Sequence, residues 1–443
     1  MRSCRRLWKS FRHKARDATK LRKTPDKPPL GPVYLDHAAT TPMRASAKRA
    51  WLETVDELSA RPGNPSSLHA GGRGARLLLE QARERLAEAL GGERAEVVFT
   101  SGATESAALG VTGAALGRRA MLPESEWAWL LSGVEHPAVL EQRVPLRANG
   151  ITDLMIPLQD DGVIDLDEDA LASRTAGREI ALGSLAMVCS ETGVIQPLEE
   201  FTQICRRLAP GAYVHSDATQ AIGNLPVSFS ALGLDLMTIG GHKFGAPVGT
   251  GALLVKRGVA LKSDRPGGGH ERGIRSGTPD VAGAVALSVA AQEAVGELGE
   301  RRRVTAKMRA KLLGGLPEQV ALTTTAGAVE SIVHLSLPTA HPEVILLEMD
   351  RQGIHVSAGS ACHAGVTRPS SVLLHMGRDE HSALGVLRVS MSATTSEEEI
   401  DRFLAALPHA LEQAQRMDQY DLRGSSRSFR RKAGEMDGQW VPK

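Results

Sequence analysis

Aromatic residues are scarce, 3% of 443 positions, too few to furnish the stacking platforms of a single-stranded nucleic-acid groove. No apolar run approaches the roughly 18–20 residues that a membrane-spanning helix needs, so a soluble protein is expected. The four cysteines, Cys4, Cys189, Cys205 and Cys362, show neither CxxC nor zinc-ligand spacing. With no secretory context, that pattern points to free thiols in a reducing compartment and to no metal centre. Gly240 to Gly245 has the outer spacing of a P-loop, but Ala246-Pro247 stands where Lys and Ser/Thr are required. No GxGxxG opens a helix after a strand, so nucleotide hydrolysis and dinucleotide chemistry are both disfavoured.

What is present is ordinary globular composition, 42% hydrophobic and 23% charged with 45 Gly and 23 Pro, and a length suited to two or three domains. The net charge of +2 conceals a segregation. Residues 1–30 hold 11 Lys/Arg against Asp17 and Asp26, which leaves the remaining chain with 42 basic and 49 acidic groups, a net of −7. The basic arm has no apolar centre and reads as a disordered extension, with an organellar transit segment or a polyanion-binding arm as alternatives. The tail from about Arg416, with Arg430-Arg431-Lys432, is polar and also reads as loose.

Between these ends, helices alternate with short β-rich runs, an α/β pattern. Residues 71–90 space Leu78, Ala82, Leu86 and Ala89 as a helix and stop at Gly91-Gly92. A strand over 96–100 runs into Ser101-Gly-Ala-Thr104-Glu105, a small-residue turn whose amides and hydroxyls suit an anion as well as a plain connection. Two later strands end in polar residues: 212–217 leads to Asp217 and Gln220, and 234–239 leads to His242 and Lys243. In an open α/β sheet such residues converge beyond the strand ends, where ligands bind; otherwise Asp217 is a helix cap and Lys243 a solvated lysine. A lysine, a carboxylate and a phosphate cradle are together what pyridoxal 5′-phosphate (PLP) requires.

The last group is Gly353 to Gly365, a strand entering a loop of small residues that bears Cys362 beside His363. Cys362 there is either an accessible thiol that His363 helps to ionise or a small core residue. Arg388, flanked by apolar residues, is either a structural ion-pair partner or a clamp for a carboxylate. Ser396 and Glu399 form a capping box for the final helix.

Over residues 33–412 the chain resembles the cysteine desulfurases, fold-type I PLP enzymes of the class V aminotransferase group. The resemblance rests on ordered motifs: Tyr34-Leu-Asp-His-Ala-Ala-Thr-Thr-Pro42, Gly63-Asn-Pro-Ser-Ser67, Phe99 to Ser106, Glu135-His136, Asp217-Ala-Thr-Gln220, Gly241-His-Lys243, Gly267 to Arg272, Arg275 to Thr278 and Ser360-Ala-Cys362. It implies a mostly parallel seven-stranded sheet in a large PLP-binding domain over 46–290. A smaller α+β domain, 31–45 with 291–415, would carry the cysteine loop. It implies that Lys243 carries the cofactor, Asp217 pairs with the pyridinium nitrogen, His136 stacks on the ring as an acid/base group, and Gln220 meets the phenolic oxygen. Ala103, Thr104 and His242 would surround the phosphate, Thr278 would reach the phosphate of the other subunit of a homodimer, and Arg388 and Asn64 would hold the substrate carboxylate. L-cysteine would leave as alanine, its sulfur kept as a persulfide on Cys362 for an acceptor protein in iron–sulfur cluster assembly or thiolation.

The chain departs from the family pattern at three places. Ser190 stands where an asparagine meets the phenolic oxygen, Gly240 where a serine meets phosphate, and Ala108 where asparagine is frequent. Each lost bond to a charged group costs about 1.5–3 kcal/mol, so weaker PLP binding or an altered spectrum is expected. A selenocysteine lyase of the same fold and a degenerate, non-catalytic scaffold are the alternatives to a desulfurase. A cytoplasmic location is expected, or an organellar matrix if the arm is a transit segment; no membrane or direct nucleic-acid partner is expected.

Overall fold

The helix expected over 71–90 forms from Ala70 to Leu90, and Gly91 closes it in the left-handed conformation, φ 64°, which a glycine adopts without penalty. Its buried stripe is Ala75, Leu79, Ala82, Leu86 and Leu90, with Leu78 and Ala89 partly buried at its edge against the same core. This computed structural model describes residues 31–359 and 368–435, with side chains through 420. The chain from Val33 onward is one compact unit.

Its strands are β1 (Val33–Tyr34), β2 (Val97–Thr100), β3 (Trp127–Ser132), β4 (Ile151–Ile156), β5 (Glu179–Ser184), β6 (Tyr213–Asp217), β7 (Leu236–Gly240), β8 (Gly251–Val255), β9 (Ala321–Leu322), β10 (Ile332–Ser336), β11 (Ile354–His355) and β12 (Val386–Ser390). Seven of them form one sheet in the order β2-β8-β7-β6-β5-β3-β4. The pairs from β4 through β7 are parallel, and β8 alone runs against its neighbours. The sheet is therefore mostly parallel, as expected. Strands β2, β3, β7 and β8 are continuous runs of buried residues, because helices cover both faces, whereas the edge strand β4 is buried only at its two ends.

The helices used below are α1 (Ala45–Ala60), α2 (Ala70–Leu90), α3 (Ala103–Ala107), α4 (Pro137–Leu140), α5 (Val281–Gly296), α6 (Leu298–Gly314), α7 (Pro342–Arg351), α8 (Ser371–His375) and α9 (Glu397–Glu435). Helix α5 packs against α1 and α2. Its alanine-rich sequence buries residues on every side, as a helix enclosed by others must.

A second hydrophobic core joins Val33 and Leu35 to Leu312 of α6, Leu335 of β10, Met349 of α7, Leu387 of β12 and Phe403 of α9. There β12, β10 and β9 make an antiparallel sheet, and β1 pairs with β11 in parallel. The bridge between Asp36 and Ser390 fixes the segment 36–41 that follows β1, and this segment reaches the site described next.

At the C-terminus one expectation holds and one requires adjustment. The Ser396–Glu399 capping box is present, Glu399 accepting from the Ser396 amide at 2.8 Å and Ser396 from the Glu399 amide at 3.3 Å. The helix it starts does not stop near 415 but continues to Glu435, so residues 416–435 are helical rather than loose. No Gly or Pro interrupts the chain between His409 and Arg423, so nothing local ends the helix there. Residues 1–30, 360–367 and 436–443 lie outside the described residues, and with them the basic arm and Cys362. Among the described residues no single helix is long and apolar enough to cross a membrane.

Candidate active site

The carboxyl ends of β2, β6 and β7 open into one cavity of about 460 Å³, within the ~300–1,000 Å³ usual for small-molecule sites. Ala103, Thr104, His136, Ser190, Asp217, Gln220, His242 and Lys243 all line it. Residues from five separate stretches of sequence thus converge as the strand-end argument requires.

Lys243 lies in the tight helical turn Gly241–Lys243 directly after β7. Its Nζ donates to the carbonyl oxygens of Ala38 and Ala39 at 2.7 and 2.8 Å. Burial lowers the Lys243 pKa to about 8, Arg388 adds to the fall, and Asp217 and Asp36 oppose it. Asp217 ends β6, 7% exposed, with Oδ1 accepting from the Thr219 amide at 2.9 Å. Gln220 shares the Ala38 carbonyl, donating from Nε2 at 2.9 Å.

His136 caps α4, its Nδ1 accepting the Ala138 N–H at 3.0 Å. Burial lowers its pKa while Asp217 resists, and Lys243 and Arg388 add to the fall. The neutral ring therefore carries its proton on Nε2, because Nδ1 is engaged as an acceptor. In this arrangement Nε2 is a donor; to act as a base His136 must first change tautomer. His242, with Nδ1 3.2 Å from Thr40 Oγ1, is pushed down to about 4 by burial first and by the neighbouring Lys243 charge.

The turn after β2 is held in place by Glu105. Its carboxylate accepts from the Ser101 amide at 2.6 Å, from Arg265 at 2.7 Å and from Arg275 at 2.9 Å. Burial works against the charge, yet these partners hold its pKa at about 2. Strand β8 approaches the turn so closely that a Cβ on Gly251 would lie 2.6 Å from the Gly102 Cα, so only glycine fits there.

The remaining expected residues are distributed differently. Arg388, 6% exposed, donates to the Ser190 carbonyl at 2.8 Å and pairs with Asp36 at 3.0 Å, while its Nε has no partner among the described residues. It is an ion-pair partner at the edge of the site, and among the described lining residues neither it nor Asn64 appears. Asn64 is exposed and accepts the Ser66 amide at 2.9 Å. Thr278 lines an adjoining cavity of about 110 Å³ that shares Ser101, Gly249 and Thr250 with the first. Gly240 backs the turn: a Cβ there would lie 3.0 Å from the Ala103 Cβ and 3.2 Å from Thr219 Cγ2.

Two features escaped the sequence reading. Thr219 lines the cavity with its Oγ1 buried and without a hydrogen-bond partner among the described residues, and an unsatisfied buried hydroxyl favours a polar ligand. Segment 36–41 also supplies the two carbonyls that hold Lys243. With the orphan hydroxyl, the 101–104 turn, Asp217 and Lys243 on one wall, the residues fit PLP.

Comparison with known proteins agrees with this geometry. The family model "Aminotransferase class-V" matches residues 33–403. The IscS-like cysteine desulfurase of Mycobacterium tuberculosis is 40% identical over 392 residues, covering 87% of this chain and 97% of that protein. Among solved structures, a NifS-like protein superposes with a TM-score of 0.77 at 31% identity, covering 86% of this chain and 99% of its own. SspA in complex with cysteine gives 0.70 at 25% identity, covering 82% and 99%. Sequence, sheet order and site geometry agree: the chain belongs to the class V aminotransferase family, with the fold-type I architecture of PLP enzymes.

Proposed function

We propose that this protein is a PLP-dependent cysteine desulfurase that converts L-cysteine to L-alanine and retains the sulfur as a persulfide on Cys362. The observation that carries the reading is Lys243, a buried amine in one cavity with Asp217, Gln220 and His136 below the 101–105 turn. The similarity to an IscS-like cysteine desulfurase and to NifS-like structures supports it. In the balanced reaction the substrate C–S bond is replaced by C–H while the Cys362 thiol gains one sulfur atom, so carbon is reduced as sulfur is oxidised.

Lys243 would hold PLP covalently, Asp217 would face the ring nitrogen, and Ala103, Thr104 and His242 would surround the phosphate with the Thr219 hydroxyl beside them. Bound there, the cofactor would withdraw electron density from the substrate α-carbon. A lysine with a pKa of about 8 exchanges protons readily near neutrality, which suits Lys243 to moving the α-proton. His136 would lie against the ring and present Nε2–H to it. Ser190 would approach the phenolic oxygen beside Gln220. Arg388, with one guanidinium nitrogen unpaired among the described residues, would grip the substrate carboxylate with Asn64 after exchanging part of its contact with Asp36.

Thr278, outside the main cavity, would serve a second subunit's phosphate in a homodimer. The same reading divides the chain into a large unit, 46–290, and a small one, 31–45 with 291–415. It locates the protein in the cytoplasm and gives it an acceptor protein in iron–sulfur cluster assembly or thiolation.

The test is PLP uptake followed by absorbance, with alanine measured after adding L-cysteine or L-selenocysteine. The reading expects uptake and alanine from cysteine in wild type, with both lost in Lys243→Ala. PLP uptake without alanine from cysteine contradicts it, and alanine from selenocysteine alone transfers the protein to the lyase reading.

A further inference from the structure

Glu135 stands beside His136 in sequence, and family resemblance gives a role to His136 and none to Glu135. It follows β3, its amide donating to the Ser132 carbonyl at 3.4 Å, and is 2% exposed. Its Oε1 lies 2.7 Å from Ser184 Oγ on β5. Ser184 Oγ lies 2.9 Å from His215 Nδ1 on β6, and His215 Nε2 lies 3.0 Å from Thr238 Oγ1 on β7. Four fully enclosed polar side chains therefore cross the sheet in one line. Three of its members, Glu135, Ser184 and His215, sit within two residues of the lining residues Val134, His136, Ala186 and Asp217.

The hydrogen inventory limits how this line can run. Ser184 has one hydroxyl hydrogen and neutral His215 one N–H, so the bonds point either towards Glu135 or away from it. Towards it, Glu135 is an acceptor and can be ionised, but its Oε2 has no hydrogen-bond partner among the described residues. An anionic oxygen supported only weakly, by the Ala186 amide, is costly in a closed site. Away from it, a Glu135 O–H donates to Ser184, Ser184 to His215 Nδ1, and His215 Nε2–H to Thr238; the atom left over is then only a carbonyl oxygen.

The titratable groups around Glu135 are Asp217 and His215 on β6 and the adjacent His136. His215 is kept neutral by burial, its pKa near 4 despite Asp217. For Glu135 burial is the largest influence and raises the pKa; the Ser184 hydroxyl opposes this, Asp217 adds to it, and the Ala186 amide opposes it least, leaving about 8. Two neighbouring carboxyls do not both ionise readily, so a proton resident on Glu135 leaves the charge on Asp217.

We propose that Glu135 is a positioning residue that works as a neutral carboxylic acid, anchoring the Ser184–His215–Thr238 line so that the negative charge beneath the cofactor pocket stays on Asp217. The proposal rests on the PLP reading only for its functional consequence; the state of Glu135 is a property of the cofactor-free protein.

Infrared spectroscopy of cofactor-free protein near neutral pH should show a buried carboxylic-acid C=O band in wild type that disappears in Glu135→Gln. Its absence from wild type overturns the proposal, whatever PLP does, whereas failure of wild type to take up PLP overturns the functional reading alone. Equilibrium PLP titration supplies the second arm. Glu135→Gln, a neutral isostere that still donates to Ser184, should keep PLP affinity within about twofold. Glu135→Ala and Ser184→Ala, which break the line, should weaken it about tenfold or more, and kcat should fall with little change in KM for cysteine. A tenfold loss in Glu135→Gln would show that the anion is needed and would refute the proposal. Wild-type affinity in Ser184→Ala would refute it equally, and that variant decides this arm if Glu135→Ala fails to fold.

Discussion

Replacing Glu271 by alanine removes one half of an enclosed ion pair that braces the loop leading to Thr278. Glu271 meets Arg83 through two bonds of 2.7 Å, with side-chain exposures of 2% and 11%. The same carboxylate accepts the Phe99 amide at 2.8 Å, and the Arg83 guanidinium lies 4.8 Å from the Phe99 ring centre. The pair also keeps Glu271 and Arg272 in the left-handed region, at φ 47° and 59°, where non-glycine residues are strained. Glu271→Ala leaves Arg83 buried with only the more exposed Glu80 carboxylate, 3.2 Å from its Nε, a loss towards the lower end of about 3–5 kcal/mol, and it orphans the Phe99 amide next to the 101–105 turn. Urea denaturation at one fixed protein concentration should report a loss of that size, together with weaker PLP binding. Arg83→Met with Glu271→Leu, which exchanges the pair for apolar volume, should recover more than half of the loss. A single variant within about 0.5 kcal/mol of wild type, or a double variant no better than the single, would refute this reasoning.

Three further outcomes follow from the site and its surroundings. With a pKa of about 8, roughly a tenth of Lys243 is a neutral amine at pH 7, against about one in 3,000 for an ordinary lysine; the rate of PLP uptake should therefore climb with pH and level off above 8, and a rate independent of pH between 6 and 9 contradicts this. Ser190→Asn restores a donor at the cavity wall and should tighten PLP binding about tenfold or more, whereas Gly240→Ser should gain less because its Cβ crowds Ala103; equal affinities for wild type and Ser190→Asn would remove Ser190 from the cofactor's contacts. His334, 2% exposed, is held near pKa 3 by burial, with Arg388 adding to the fall. Its neutral form therefore contributes stability that is complete above about pH 6.5 and is lost as pH falls towards 3, roughly 3–5 kcal/mol in all. His334→Asn should flatten the acid side of the stability profile by that amount, and identical profiles for variant and wild type would be the contrary result.

Much of this was legible in the sequence, for reasons that differ between elements. Helix α2 announces itself by apolar spacing and the Gly91-Gly92 stop, and β6 and β7 by polar residues at the ends of apolar runs. The site residues could be assembled because each motif is short and the motifs keep a fixed order. What sequence could not supply were contacts between distant segments. The carbonyls of Ala38 and Ala39 reach Lys243 across some 200 positions, and a carbonyl has no sequence signature. Glu135, Ser184, His215 and Thr238 each look like a single polar residue at or near an apolar strand, and only the strand order joins them. Helix α9 outruns its expected end because residues 409–423, a polar, charged stretch that reads as loose, hold no Gly or Pro and extend a helix already begun at Ser396, which then continues through Gly424 and Gly434.

The most direct test of the central claim is the mass of Cys362 after one turnover. PLP-loaded protein given one equivalent of L-cysteine without reductant, then alkylated and digested, should carry one extra sulfur atom on the Cys362 peptide, matched by one alanine released, and Lys243→Ala should show neither. Alanine formed with no sulfur on Cys362, or sulfide release undiminished in Cys362→Ala, would contradict the account.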